Sequence, residues 1–259
     1  LTVSDPSAER QALARAQGLK VAEDERRAMG AASVIFSSLP HDGALRVATA
    51  VVAGAARSGT LYVDTSTVSP QASAQVAPAL EAQGIGYVRC AVSGNNKMAE
   101  AAQLTVLASG SRPAYDRVLP LGPNQFYLGD AEQARLMKLV VNLMIAQTSA
   151  MLAEALTLGR KGDLDWQAMW QVLTASAVAS PILKAKSAQL AQRDFTPTFT
   201  VEQMIKDLDL ILGAGSAVGV SLPQTAMTRQ LMHEAVSRGL GQDDYAAIIK
   251  VQERDAGLG

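Results

Sequence analysis

Cysteine and histidine are nearly missing from this chain of 259 residues, which holds one Cys (Cys90) and two His (His41 and His233). A single thiol excludes an internal disulfide and any cysteine-built metal cluster. Two imidazoles leave no multi-histidine metal site within one chain, so no metal is expected. Cys90 reads as a small buried hydrophobe, and a reducing cytoplasm fits it. A histidine-based proton transfer would have to rest on His41, placed by Leu39-Pro40 in a loop, or on His233, in a late helical pattern. Neither has an orienting carboxylate nearby in sequence. Charge is also scarce, at 18% of residues and a net of -1, with no basic block. That argues against nucleic acid and anionic membrane as partners. No signal peptide is visible, the first residue is not Met, and the chain reads as beginning inside a domain.

Apolar residue types make up 48% of the sequence, enough for a full globular core. Up to residue 131 the pattern alternates. Strand signals over 1–5, 19–22, 33–38, 61–64, 86–90, 104–108 and 125–128 are separated by helical stretches over 7–17, 44–57 and 70–83. Strands alternating with helices predict a parallel sheet covered on both faces. Beyond Gly129 the strand signal ends. Helical patterns follow over 132–161, 165–175, 180–192, 200–218, 224–238 and 243–253, punctuated by Gly162, Pro181, Pro197 and Pro223. The expected domains are therefore an α/β dinucleotide-binding domain, residues 1–131, and an all-helical domain, residues 132–259. The helix over 132–161 would be roughly 40 Å long and would bridge them. Its run Leu139–Leu158 is long enough for a bilayer, but Asn142, Gln147 and Glu154 are costly in lipid, which favours a buried core helix.

Lys138 is the most informative residue. It lies four positions before Asn142 on that helix, so amine and amide share one face beside apolar surface. A Lys desolvated there has its pKa lowered toward neutrality and can exchange a proton with a substrate hydroxyl. The competing reading is a Lys that snorkels from a core helix, and spacing alone favours it. Asp5 ends a short strand, where an acid can accept hydrogen bonds from ribose hydroxyls, although an ordinary turn-capping acid reads the same way. Gly213-Ala-Gly215-Ser-Ala-Val-Gly219 imitates a phosphate-binding loop, yet no strand precedes it, so it reads as close helix packing.

Taken in order, Asp64-Thr-Ser66-Thr67-Val-Ser-Pro70, Ala91-Val-Ser93-Gly94, Lys138 with Asn142, and Lys206-Asp207 resemble the beta-hydroxyacid dehydrogenases. That family includes 3-hydroxyisobutyrate dehydrogenase and tartronate semialdehyde reductase. The resemblance runs from residue 1 to about 250 and implies a Rossmann domain, whose first strand and glycine-rich turn are missing here, followed by an all-helical domain. It implies that Lys138 is the catalytic lysine and that Asn142 helps hold the substrate. By the same resemblance Ser93, Gly94 and Asn95 grip a substrate carboxylate, while Leu39, Pro40, Thr67 and Lys206 approach the cofactor. The chain departs from the family pattern at Ala91, where Pro is usual, at Asn95, where Gly is usual, and over Glu132–Arg135, where the family is glycine-rich. The last departure is expected to alter closure around the nicotinamide, and the segment over 120–125 looks short. Asp5-Pro6 replaces the Asn-Arg of many NADP-preferring relatives, so NAD is expected over NADP.

The expected activity is hydride transfer between the nicotinamide and a small hydroxy acid or semialdehyde, with Lys138 as general acid and base. The alternatives are imine reduction, oxidation followed by decarboxylation as in the 6-phosphogluconate dehydrogenases, and a non-catalytic cofactor-binding protein. The apolar helical domain, ending in Tyr245-Ala-Ala-Ile-Ile-Lys250, is expected by resemblance to pair subunits into a homodimer or homotetramer.

Overall fold

A computed structural model describes every residue except Pro40, Leu119 and Gly259, and for His41, Asp42, Ala50, Val51 and Ala53 it describes the backbone alone. Two compact units divide between Lys138 and Leu139, inside the long helix.

The first unit opens with a two-stranded parallel sheet, β1 (Thr2–Val3) beside β2 (Lys20–Val21), with α1 (Ala8–Ala16) between them. Ser7 caps α1 by accepting from the Arg10 N–H, and Gly18, at φ +75°, supplies the left-handed turn that follows it. A helix that apolar periodicity does not signal, α2 (Glu25–Ala31), starts at Asp24, whose Oδ1 accepts from the Arg27 N–H at 3.0 Å.

The main sheet has the order β3-β4-β5-β6-β7, formed by Val34–Ser37, Leu61–Asp64, Gly86–Ser93, Thr105–Gly110 and Asn124–Tyr127. Its pairings are parallel except β5 with β6, which run antiparallel with Ser93 opposite Thr105. The cause is the short link over 94–104, which holds only α6 (Asn96–Glu100), because a parallel return needs a dozen or more residues.

Between β3 and β4 the chain forms α3 (His41–Val47), a π-helical turn (Ala48–Val52) and α4 (Ala53–Ala55). His41 thus begins a helix rather than sitting in a loop. Ala44, Ala48 and Val52, four residues apart, are all buried, and this spacing draws the helix onto the sheet. α5 (Pro70–Glu81) is capped by Ser69 and opens on a proline, and α7 (Arg112–Tyr115) precedes β7. Side-chain alternation along β4 divides the core. Tyr62 packs with Ala48, Val52, Val76, Leu80 and Tyr87 on one face, while Leu61 and Val63 pack with Val88, Cys90, Val106 and Ala108 on the other.

The second unit holds most of α8 (Gln133–Lys161), then α9 (Trp166–Ala175), α10 (Pro181–Leu190), α11 (Val201–Ala217), α12 (Pro223–Ser237), a 3₁₀ turn (Tyr245–Ala247) and α13 (Ile248–Asp255). Among the described residues α8 is the one helix long and apolar enough to cross a membrane. Its Leu139, Ala146, Leu152, Ala153 and Leu156 are buried in this unit's core with Met204, Leu208, Met232 and Ile248. Gln147 finds a partner there, its Nε2 donating to Thr225 Oγ1 at 3.1 Å. The glycine-rich imitation lies in and just after α11, where a Cβ on Gly215 would stand 2.7 Å from Leu222 Cδ1. Close packing is therefore the role of Gly215, whereas Gly213 and Gly219 have open space around them and Gly219 takes φ +73° after the helix. A buried ion pair joins Lys186 Nζ to Asp244 Oδ1 at 2.6 Å, and Asp244 Oδ2 also accepts from the Thr198 N–H and hydroxyl.

Burial pushes the Cys90 thiol up to about 11, with Asp64 adding to the rise and Arg135 opposing it. At pH 8 roughly one such thiol in a thousand is ionised. A thiol reagent at that pH should therefore label the folded chain far more slowly than the chain in denaturant. An unfolded thiol titrates near about 8.5, so this group's contribution to stability is complete below that pH. It is lost as pH rises toward the folded value.

Candidate active site

The loops after β3 and β4 are bound to each other. Thr65 donates both its N–H and its hydroxyl to the Ser37 carbonyl, each at 2.8 Å. The Ser66 N–H donates to Asp64 Oδ1 at 3.0 Å, and the Leu39 N–H donates to Ser66 Oγ at 3.0 Å. Leu39 and Thr67, both half-buried, flank this knot. Pro40 lies outside the described residues.

Arg135, only 1% exposed, anchors the knot to the first turn of α8. Its Nη2 donates to Asp64 Oδ2 at 2.6 Å and to the Tyr87 hydroxyl at 3.1 Å, its Nη1 donates to the Ser66 carbonyl, and its Nε donates to Ser73 Oγ at 3.3 Å. Burial alone would depress the guanidinium pKa. Tyr87 and Asp64, by charge and hydrogen bonding, more than offset it and leave the pKa raised. A second ion pair joins Arg89 to Glu132, with the Arg89 guanidinium 4.3 Å from the Tyr87 ring centroid. The polar residues at 132 and 135 therefore fasten the start of α8 to the sheet.

Lys138 follows three residues after Arg135, on the same helix, and is half-buried. This is less desolvation than its apolar neighbourhood in sequence suggests, because Leu136, Met137 and Val140 are themselves partly exposed, at 43%, 39% and 46%. Ser93 ends β5, half-buried. Gly94 has φ +140°, and a Cβ there would stand 2.6 Å from Leu104 Cδ2, so only glycine fits. Asn95 caps α6, its Oδ1 accepting from the Met98 N–H at 3.0 Å, which commits that oxygen locally. Asp5 is half-buried, and its Oδ1 accepts from the Ser7 N–H at 2.8 Å, the turn-capping arrangement.

In the second unit Asn142 is 6% exposed, and its Nδ2 donates to Asp207 Oδ2 at 2.5 Å. Lys206 faces outward while Asp207 faces the core, so these neighbours do not act as a solvated pair. Asp207 is the site residue that motif reading passes over. Its signal is an acid on the apolar face of α11, between Met204, Leu208 and Ile211. Among the described residues no three His, Cys, Asp or Glu side chains cluster as metal ligands.

Placement at the strand ends is compatible with a nicotinamide dinucleotide. Asp5, Leu39 and Thr67 all lie just past the carboxyl ends of parallel strands β1, β3 and β4, the edge of an α/β sheet where such ligands sit. Residues 1–121 match the NAD binding domain of 6-phosphogluconate dehydrogenase. Residues 133–252 match the family described as NAD-binding of NADP-dependent 3-hydroxyisobutyrate dehydrogenase. The 2-(hydroxymethyl)glutarate dehydrogenase of Eubacterium barkeri is 34% identical over 94% of this chain and 83% of its own length. Glyoxylate/succinic semialdehyde reductase 1 of Arabidopsis thaliana is 32% identical over 73% of this chain and 67% of its own. The 3-hydroxyisobutyrate dehydrogenase of Mycobacterium tuberculosis, solved with L-serine, has a TM-score of 0.86 at 26% identity, covering 96% of this chain and 89% of that one. Fold and matches together define an NAD(P)-dependent oxidoreductase. The chain belongs to the beta-hydroxyacid dehydrogenase family.

Replacing Arg135 with Met should destabilise the chain by about 3–5 kcal/mol, because Asp64 would be left charged and buried. Urea unfolding measures it, and an Arg135→Met, Asp64→Asn double variant should recover part of the loss. A change near zero in the single variant would show that the pair contributes little.

Proposed function

We propose that the chain interconverts a small hydroxy acid and its carbonyl counterpart, with residues 1–131 holding the dinucleotide and residues 132–259 serving substrate and subunit contacts. The nicotinamide, when bound, supplies or accepts the hydride. Lys138 takes the proton of the substrate hydroxyl in oxidation. In reduction its ammonium returns that proton to the carbonyl oxygen. Asn142, one turn further along the same helix face, steadies the reacting oxygen through its second N–H, since the first is held by Asp207. That bond is the observation that carries the reading, because a buried amide locked onto a buried carboxylate is a costly device that packing does not require.

Ser93, through its hydroxyl, and Gly94 and Asn95, through their backbone N–H groups, hold the substrate carboxylate. Leu39, Pro40, Thr67 and Lys206 contact the cofactor, and Asp5 accepts from the adenosine ribose, which favours NAD over NADP. We place the protein in the cytoplasm, with no nucleic-acid or membrane partner.

Subunit pairing has its own support. Met144, Met151 and Leu158 recur every seven residues along α8 and are 63%, 63% and 76% exposed. A stripe of that spacing and exposure suits a matching helix from a second copy, giving a homodimer or homotetramer.

Two outcomes follow. Lys138→Met should lower turnover by about 10²–10⁴-fold, the contribution of a positioned acid and base, while cofactor affinity stays the same. The assay is NAD against NADP reduction over C3 to C6 hydroxy acids, with cyclic imines as the contrasting substrates, and unchanged turnover would remove Lys138 from the mechanism. Met151→Glu should shift the assembly toward smaller species in sedimentation velocity, and an unaltered distribution would exclude this face as the contact.

A further inference from the structure

A cleft of about 520 Å³ lies within the helical unit, lined by Arg160, Trp166, Arg193, Lys250, Glu253, Arg254 and Leu258. That volume falls in the range of small-molecule sites, roughly 300–1,000 Å³. None of these residues takes part in the reaction proposed above, so the inference stands apart from it.

The cleft is built on a buried acid. Glu253 is 2% exposed, and its Oε1 receives Arg160 Nη1 at 2.5 Å and Arg193 Nη1 at 2.7 Å, while Oε2 receives Arg193 Nη2 at 2.5 Å. Burial would raise the carboxyl pKa, but the two guanidinium groups hold it below its ordinary value, so Glu253 is a fixed anion. Arg193 is fixed in turn. Its backbone has φ +58°, a left-handed conformation that a long side chain rarely adopts. Its guanidinium lies 5.1 Å from the Trp166 ring centroid and 5.6 Å from that of Phe195. The indole N–H of Trp166 donates to the Ala191 carbonyl at 2.9 Å, which ties α9 to the turn carrying Arg193.

The lining is unbalanced in charge. Arg160 and Arg193 meet Glu253, Lys250 and Arg254 line the same cleft, and Lys250 Nζ meets Asp243 Oδ2 at 2.7 Å. Asp194 stands beside Arg193, exposed, with its Oδ1 accepting from the Thr196 N–H at 2.9 Å. Among the described residues a positive charge remains even with these three carboxylates counted, and Arg254 is exposed. Trp166 and Leu258 add an apolar wall. A bare oxyanion would leave most of the volume unused. Guanidinium forks match the oxygens of a phosphate, and an attached ring or chain would lie along the apolar side.

We propose that this cleft is a second ligand site, one that takes an organic phosphate: a phosphate monoester joined to a small aromatic or apolar group. Phenyl phosphate is the probe, titrated by calorimetry into the full chain with the dinucleotide site saturated by NAD. Saturable binding is expected, weaker for inorganic phosphate and lost for phenol. An Arg254→Ala, Lys250→Met double variant should bind phenyl phosphate at least about tenfold more weakly, as expected for loss of charged hydrogen bonds. Its affinity for NAD should not change. Lys250 also packs 4.0 Å from the Phe195 ring centroid, so if the double variant fails to fold, the exposed Arg254→Ala change alone serves as the test. Absence of saturable heat, equal binding of inorganic phosphate or phenol, or undiminished affinity in the folded variant would each overturn the proposal.

Discussion

The buried pairing of Arg135 with Asp64 is the constraint on which the candidate site rests. A guanidinium so enclosed must have its donors matched or it destabilises the fold, since unsatisfied charge in a low-dielectric interior is severely penalised. Here the matching partners are Asp64, the Ser66 carbonyl, Tyr87 and Ser73. They belong to β4, the loop after it, β5 and α5, so one side chain unites four pieces of the first unit with the beginning of α8. The loop over 64–67 in turn holds the loop after β3 through Ser66 and Leu39. Strand-end segments that would otherwise depend on weak turn contacts are thus tied to the sheet.

A second buried pair, neutral amide on carboxylate, plays the corresponding part in the helical unit. Asn142 held by Asp207 is oriented rather than free to rotate, and orientation is what the role proposed for it above requires. The two devices differ in kind. Arg135 joins an ion pair to neutral acceptors and sets backbone positions, whereas Asp207 fixes a single side chain. Lys138 lies between Arg135 and Asn142 on the same helix and is half-buried.

Much of this was legible in the residues. The strand and helix order follows from periodicity and glycine placement, the false phosphate loop at Gly213–Gly219 from the absence of a preceding strand, and the family from the resemblance that its ordered motifs carry. What stayed hidden has physical causes. α2 and α6 are short, and their start signals are single capping side chains, Asp24 and Asn95, with no apolar stripe behind them. The reversed direction of β6 depends on the length of the link over 94–104, which periodicity does not weigh. The residues over 132–135 read as a loss of glycine flexibility, because sequence shows what replaces a glycine but not the buried acid it will meet. Asp207 stood in a recognised motif, yet its pairing to Asn142 joins residues 65 positions apart and needs the packed helices to be seen.

Arg135, Lys138, Asn142, Gln147 and Arg160 are all carried by one uninterrupted helix, α8. Such a rod accepts exchanges of side chain but resists changes in length. Inserting a single residue between Lys138 and Asn142 would turn the two about 100° further apart around the helix, so that amine and amide no longer share one face. Divergence along this stretch is therefore confined to substitution, and gaps should accumulate in the connecting loops.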